Sequence, residues 1–270
     1  MKQTVFITGA SSGFGKETAI LFQEMGWNVV ATMRSPEAGA ELSKLPNVRV
    51  VPLDVRDAAS IEAAVAAAAA AGDIDVLVNN AGFAVVGVFE SVTREQVEAQ
   101  YATNVFGLMA VTRAVLPGMR ARGKGMIINV SSFGGRVGIP FGSLYNSSKF
   151  AVEGFSEALA YELFPLGIGV KIVEPGSSAT NFRQGAEYVR SEIPAYQAMM
   201  NALLPKYGKV TEHLSKATPA EVARVIYEAS TDGLPDQRYI VGEDAQFYID
   251  MKRNLSDREF AEKMHAYFID

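Results

Sequence analysis

The chain has 270 residues, 49% apolar and 20% charged, so it is long enough for a large core and is neither a disordered tail nor a fibrous protein. Twenty-five Lys and Arg against 30 Asp and Glu leave a net charge of −5, which favours neither a nucleic-acid backbone nor an anionic membrane as partner. No Cys means no disulfide, thiolate metal site or cysteine nucleophile, and His213 and His265 cannot build a histidine metal cluster, so no metal is expected. Met1-Lys2 leads straight into a strand-like run with no signal-peptide core, and no apolar run nears a membrane span. The expected location is the cytoplasm.

Apolar runs of strand length alternate with helical segments from Thr4 to about Val173. The runs cover residues 4–7, 29–32, 48–51, 74–78, 126–130 and 170–173, with 239–241 as a seventh. Such alternation predicts an α/β fold: a single-domain, Rossmann-type, doubly wound parallel sheet of six to seven strands with helices on both faces. Helices are predicted at 15–25, stopped by Gly26, at 57–71, stopped by Gly72, at 93–116, stopped by Pro117-Gly118, and at 143–164, stopped by Pro165 and Gly167. No linker or repeat divides the chain, so 1–270 reads as one unit. Residues 177–217 form a substrate loop or lid region and 218–270 a C-terminal extension, with helices at 219–230 and 243–268. Within the loop Val189, Ile193, Tyr196, Met200 and Leu203 keep helix-face spacing interrupted by Pro194, which fits a surface helix on the core as well as a lid.

The first strand ends in Thr8-Gly9-Ala10-Ser11-Ser12-Gly13-Phe14-Gly15-Lys16 and a helix begins at once. A strand, glycine turn and helix start make an anion site, because unpaired amides and the positive end of the helix dipole face the bend. The spacing G-x-x-x-G-x-G departs from the G-x-G-x-x-G dinucleotide pattern, and by itself fits an ordinary tight turn. Arg34 follows Gly15 by 19 residues, where an acid would bind a ribose diol. Its planar fork suits a 2′-phosphate, so NADP(H) is expected over NAD(H); the alternative is a solvated surface Arg.

Asn79-Asn80-Ala81-Gly82 after the fourth strand and Tyr145-Asn146-Ser147-Ser148-Lys149 after the fifth resemble the short-chain dehydrogenases/reductases. The resemblance runs from the first strand to about Thr180. It implies cofactor contacts from Gly9, Ser11, Ser12, Gly13, Phe14 and Gly15, an adenine contact from Asp54 and Val55, and a segment of Asn80, Ala81 and Gly82 that steadies the central sheet. It further implies that Pro175, Gly176 and Thr180 line the nicotinamide, that Ser132 is the active-site Ser, and that Asn104 holds a water relaying protons from Lys149 to solvent. A homodimer or homotetramer packed through the helices carrying Asn104 and Tyr145 is implied as well. The segments A-T-M-R and V-E-P-G-S resemble the hydroxysteroid and retinol dehydrogenase branch, which implies a bulky alicyclic substrate.

The residue types fit that chemistry directly. Tyr145 and Lys149 are four apart and share one helix face. An ammonium near the phenol favours the phenolate, and Lys149, helped by the positive charge of an oxidised nicotinamide, is expected to pull the pKa below the free value of about 10, so that Tyr145 exchanges a proton with a carbonyl oxygen while hydride passes to carbon. Ser132 would polarise that oxygen. Taken singly, Tyr145 and Lys149 also read as an amphipathic pair, Ser132 as a cap and Asn104 as a helix distortion. Phe83, Val85, Val86, Val88, Phe133, Val137, Ile139, Phe141 and Leu144 fit either a hydrophobic slot for a ketone, aldehyde or secondary alcohol, or core packing. Two rivals stand beside the oxidoreductase: a non-catalytic NADP(H)-binding sensor, and a serine hydrolase using Ser11, since Gly9-Ala10-Ser11-Ser12-Gly13 also reads as G-x-S-x-G.

Overall fold

Each central strand is apolar on both sides, and the two sides bury against different helices. The computed structural model describes residues 2–70, 72–178, 186–206 and 209–269. In chain order it runs β1 (Thr4–Ile7), α1 (Gly13–Glu24), β2 (Asn28–Met33), β3 (Val48–Pro52), α2 (Ala58–Ala69), β4 (Val76–Asn79) and β5 (Val85–Gly87). Then follow α3 (Arg94–Tyr101), a π-helical turn (Ala102–Gly107), α4 (Leu108–Arg122), β6 (Gly125–Val130), α5 (Ser143–Leu163) and β7 (Ile168–Pro175). The remainder is β8 (Glu187–Val189), α6 (Pro194–Leu203), α7 (Pro219–Thr231), β9 (Arg238–Val241), α8 (Glu243–Asn254) and α9 (Asp257–Phe268).

Seven strands form one parallel sheet in the order β3-β2-β1-β4-β6-β7-β9. The chain winds outward in opposite directions from β1 and β4, so their carboxyl ends diverge into a crevice. Val5, Ile7, Val76, Val78, Ile128 and Val130 face one side, where Phe22 of α1 and Val222 and Ile226 of α7 cover them. Phe6, Leu77 and Ile127 face the other, under Ile61 of α2, Val111 and Val115 of α4 and Leu159 of α5. The period of two thus reads as a continuous apolar run because both faces are covered. Phe22, Trp27 and Tyr227 meet edge to face, with centroids 5.1 Å and 5.0 Å apart for the two Phe22 pairs.

A polar ladder crosses the second face. Asn79 Nδ2 donates to Asn129 Oδ1 and to Thr112 Oγ1, both at 2.9 Å, and Asn129 Nδ2 donates to Ser156 Oγ at 2.8 Å. These buried amides lock β4, β6, α4 and α5 in one register, because a slip would strand them without partners.

Three expectations change. The helix expected to stop at Pro117 runs to Arg122 and ends at Gly123, whose φ of 62° gives the left-handed cap. Packing of Val115 and Met119 into the core on either side of Pro117 outweighs the hydrogen bond that proline removes. The helix expected over 243–268 is two, because Leu255 is extended and Ser256 opens α9 with a capping box to Glu259. Pro194 does not interrupt a helix but starts α6, while Val189 belongs to β8, which pairs with β5 in a separate parallel ribbon. No helix among the described residues is long and apolar enough to cross a membrane.

Candidate active site

A cleft of about 1120 Å³ opens at the carboxyl ends of the strands. Its floor at one end is the turn from β1 into α1. Gly9 and Gly13 there have φ of 69° and 55°, which glycine adopts without strain. A Cβ on Gly9 would lie 2.8 Å from Ala81 Cα, so the β1 turn and the β4 turn touch through bare backbone. Gly15 lies beneath the turn rather than along the cleft: a Cβ there would collide with Gly9 O and stand 2.5 Å from Asn80 Nδ2. Asn80 clamps the two turns, donating to Thr8 O and Gly9 O at 3.0 Å each, while Thr8 Oγ1 accepts from the amides of Asn80 and Ala81. No side chain caps α1 and no acidic residue occupies its first turn. Its open amides and dipole therefore face Ser11, Ser12, Gly13 and Phe14 along the cleft, an arrangement that fits a pyrophosphate.

Met33, Arg34, Leu53, Asp54, Val55 and Arg56 line the next stretch. Arg56 had no place in the sequence reading. It forks onto Asp54, with Nη2 to Oδ2 at 2.6 Å and Nε to Oδ1 at 3.0 Å, and that hydrogen-bonded pairing, with a contribution from the Arg34 charge, holds the Asp54 carboxyl down at about 2. The lone acid of this stretch is thus ionised but outnumbered by two guanidinium groups. The residues fit an adenosine carrying an additional phosphate.

Ser132, Tyr145 and Lys149 meet in the middle of the cleft. Ser132 follows β6 directly; its Oγ accepts from Gly134 N at 3.1 Å, donates to Pro175 O at 3.4 Å and shares a hydrogen bond with the Tyr145 phenol. Ser132 therefore caps the short turn that follows β6, and the same hydroxyl lines the cleft. Tyr145 and Lys149 sit one turn apart on α5, and Asn146 between them holds the 133–139 loop by donating to Gly134 O at 2.7 Å and Val137 O at 3.2 Å. Lys149 Nζ lies 5.9 Å from the Tyr145 ring centroid and donates to Val130 O at 2.9 Å.

The electrostatics differ from the sequence expectation. The surrounding protein pushes the Tyr145 phenol up to about 12, against the weaker downward pull of Ser132, and burial brings the Lys149 ammonium down to about 8 although Glu153 supports its charge. In the protein alone, burial is the largest influence on both groups, and it favours the neutral phenol of Tyr145 and the neutral amine of Lys149.

Asn104 lies in the π-helical turn, away from the cleft lining. Its Nδ2 donates to Phe83 O at 2.9 Å and Ser148 Oγ at 3.2 Å, and its Oδ1 accepts from Phe83 N at 3.1 Å. The side chain is thus engaged in positioning the strand that follows Gly82 and the helix of Tyr145. The π-turn realises the distortion reading; it brings Gly107 against Val55, where a Cβ would stand 2.7 Å from Val55 Cγ2.

Pro175 and Gly176 line the cleft, whereas Thr180 lies outside the described residues. Asp244, the second residue of α8, is buried beneath them; its Oδ2 accepts from Ser177 N at 2.8 Å, and a Cβ on Gly176 would collide with its carboxylate. Nothing in the sequence separated Asp244 from the surface acids around it. The remaining wall is apolar. Phe83, Val86, Phe133, Ile139 and Phe141 line it as expected, but Val85, Val88, Val137 and Leu144 are buried in the core instead. Met200 and Leu204 join from the α6 region, and Tyr248 and Phe268 from the last two helices. His213 and His265 are exposed and neither shares the cleft with Ser11, so a Ser11 hydrolase lacks its base. Among the described residues, no group of three His, Asp or Glu has metal-site geometry.

Residues 3–189 match the family model for short chain dehydrogenases. The chain belongs to the short-chain dehydrogenase family. An uncharacterised oxidoreductase of Schizosaccharomyces pombe is 42% identical over 232 residues, covering 84% of this chain and 96% of that protein. Human retinol dehydrogenase 8 is 39% identical over 189 residues, 67% of this chain and 60% of that protein. A crystal structure of a short-chain dehydrogenase from Streptomyces avermitilis superposes with a TM-score of 0.86 at 35% identity, covering 97% of this chain and 96% of that one. ElxO with NADP bound gives 0.75 at 26% identity, covering 89% and 97%. A Burkholderia phymatum relative in complex with NAD gives 0.74 at 25%, covering 89% and 88%.

Proposed function

We propose that this oxidoreductase interconverts a ketone or aldehyde with its alcohol, using NADP(H) in preference to NAD(H), on a hydrophobic substrate of steroid or retinoid character. The observation that carries the reading is the meeting of Ser132, Tyr145 and Lys149 in a cleft whose other end is an uncapped helix N-terminus beside Arg34. NADPH, when bound, supplies the hydride. Ser11, Ser12, Gly13 and Phe14 hold the pyrophosphate, Arg34 with Arg56 the 2′-phosphate, and Pro175 and Gly176 with Asn80 to Gly82 the nicotinamide side. Ser132 aligns the carbonyl oxygen through its hydroxyl, and Tyr145 donates the proton to that oxygen. A phenol held protonated is the correct starting state for reduction, and Lys149 stabilises the phenolate left behind. Residues 177–217 act as a lid, since α6 buries only Leu203. The apolar residues Phe106 and Phe150, 62% and 47% exposed, support a homo-oligomer packed through the helices of Asn104 and Tyr145.

Replacement of Tyr145 by Phe tests the reading. Cofactor is expected to bind with unchanged affinity, measured by quenching of Trp27 fluorescence or by calorimetry, while oxidation of NADPH by a panel of ketones falls at least 100-fold. A variant that turns over at the wild-type rate would eliminate Tyr145 as the acid. A sensor without chemistry would bind NADPH and show no turnover with any member of the panel in either protein.

A further inference from the structure

One helical turn past Lys149, the underside of α5 covers a buried charged cluster in which three polar atoms have no partner. They are Ser131 Oγ, Glu153 Oε1 and Glu174 Oε2. Ser131 follows β6 and Glu174 lies in β7, both on the α5 face, Glu153 descends from α5, and Ser131 Oγ and Glu153 Cγ both crowd the same spot above Gly135. All three residues are at most 5% exposed.

Two arginines hold the carboxyl groups. Arg238 Nε, from β9, stands 3.1 Å from Glu153 Oε2 and 3.4 Å from Glu174 Oε1, and its Nη2 reaches Glu157 at 2.5 Å. Arg136 Nη1 contacts Glu174 Oε1 at 3.1 Å. The two carboxylates thus share one guanidinium while each keeps an oxygen buried and bare. With both acids ionised each carboxylate would keep a buried oxygen without a donor, and one proton on the pair removes a buried charge and supplies a donor there.

We propose that Glu153 and Glu174 are positioning residues that hold a single proton between them and thereby set the charge against which Lys149 ionises. This rests on the reading of Lys149 as the cation beside Tyr145. Glu153 is the carboxylate that supports the Lys149 charge, and Glu174 lies well above the usual carboxylate range because of burial and the neighbouring Glu153 charge. The other charged and titratable groups around the pair are Tyr145, Lys149 and Glu157 of α5, Arg136 of the following loop and Arg238. Lys171, Asp232 and Tyr239 bind one another on the opposite face of the sheet, and Asp244 and Tyr248 of α8 face Ser177 and Phe133. As pH rises and the pair loses its proton, one more negative charge comes to bear on Lys149, which extends the alkaline range over which the ammonium survives.

Glu174→Gln, a neutral isostere, is the test. The kcat for reduction with saturating NADPH is expected within two-fold of wild type at pH 6 and at least three-fold lower at pH 9, with the KM for NADPH unchanged. A purely structural role would lower both rates by one factor and leave the pH profile parallel, and a parallel profile overturns the proposal. Difference infrared spectroscopy of the cofactor-free protein gives a readout independent of turnover: a protonated-carboxyl carbonyl band present at pH 6, lost by pH 9 and missing from Glu174→Gln. Absence of that band from the wild-type protein at every pH also overturns it. Should Glu174→Gln not fold, Glu153→Gln is measured instead: a changed infrared band and a lower rate at pH 9 are expected, and a pH profile and band identical to wild type refute the pair. Failure of the Lys149 reading is separate: it appears as unimpaired turnover in Lys149→Met, whatever the infrared band shows.

Discussion

Arg34 stands apart from the other charges that line the cleft. With Arg56 tied to Asp54, it is the guanidinium at this end with no carboxylate assigned to it among the described ion pairs. A charge-assisted bond to phosphate contributes about 1.5 to 3 kcal/mol, which is roughly ten- to a hundred-fold in affinity. Arg34→Leu is therefore expected to raise the KM for NADPH by about that factor and to leave the KM for NADH within about two-fold; equal effects on both cofactors would remove Arg34 from the phosphate site. Lys149 carries a stability consequence. Its ordinary value is 10.5 and burial lowers it to about 8, so between these pH values the unfolded chain binds more protons than the folded one. Stability contributed at this position is consequently present at high pH and lost as pH falls through 8. In the cofactor-free protein Lys149→Met is expected to be more stable than wild type at pH 7, by on the order of 2 kcal/mol, with the gain gone near pH 10.5. Thermal melts across that range decide it, and a gain that grows with pH would contradict the burial cause.

At the scale of elements, α8 governs the loop after β7. Asp244 supplies the acceptor for Ser177 N, and Gly176 and Gly242 both lack the side chain that would displace it. Asp244→Ala leaves that amide without its partner and opens space beneath Gly176. The expected result is a KM for NADPH raised about ten-fold with thermal stability lowered by about 1 to 3 kcal/mol, and Asp244→Asn, whose amide oxygen also accepts, recovers most of the affinity. An Asn variant no better than Ala would show that charge rather than the hydrogen bond holds the loop. The strands, the glycine turn and the α5 pair were legible in sequence for one reason: each is set by neighbours a few residues away. Val5 to Ile7 alternate between two covered faces, and Tyr145 and Lys149 are fixed by helical period alone. Pro117 and the β5–β8 ribbon were misread or missed because distant packing decides them, whereas the capping box at Ser256 and the helix start at Pro194 were local signals that the reading passed over. Asp244 also went unseen through distance, its partner Ser177 lying 67 residues away, whereas Arg56 was missed although its partner Asp54 is a near neighbour, because that carboxylate had already been assigned to adenine.

At the scale of the whole molecule, charge is distributed against the average. The chain carries −5 overall, yet among the described residues its cleft is lined by Arg34, Arg56, Lys149, Arg190 and Lys216 against the carboxylate of Asp54 alone. Such a field draws an anionic dinucleotide toward the strand ends and weakens with added salt. On the outer surface, Phe106, Phe150, Tyr161 and Phe164 stand exposed along the α4 and α5 side. Light scattering of the purified protein is expected to give a dimer or tetramer, and Phe150→Glu, which sets charges face to face across a self-complementary contact, is expected to shift it toward monomer. A wild-type monomer at micromolar concentration would dismiss this interface.

The family match ends at residue 189, and the latch on Ser177 comes from residue 244. The segment that the family model covers therefore does not complete the cleft alone; a fastening of the loop after β7 comes from α8, beyond it. A chain cut just before α8 would keep β9 and α7 in place and lose only the last two helices with that latch, so its hold on a dinucleotide is expected to fail before its sheet does.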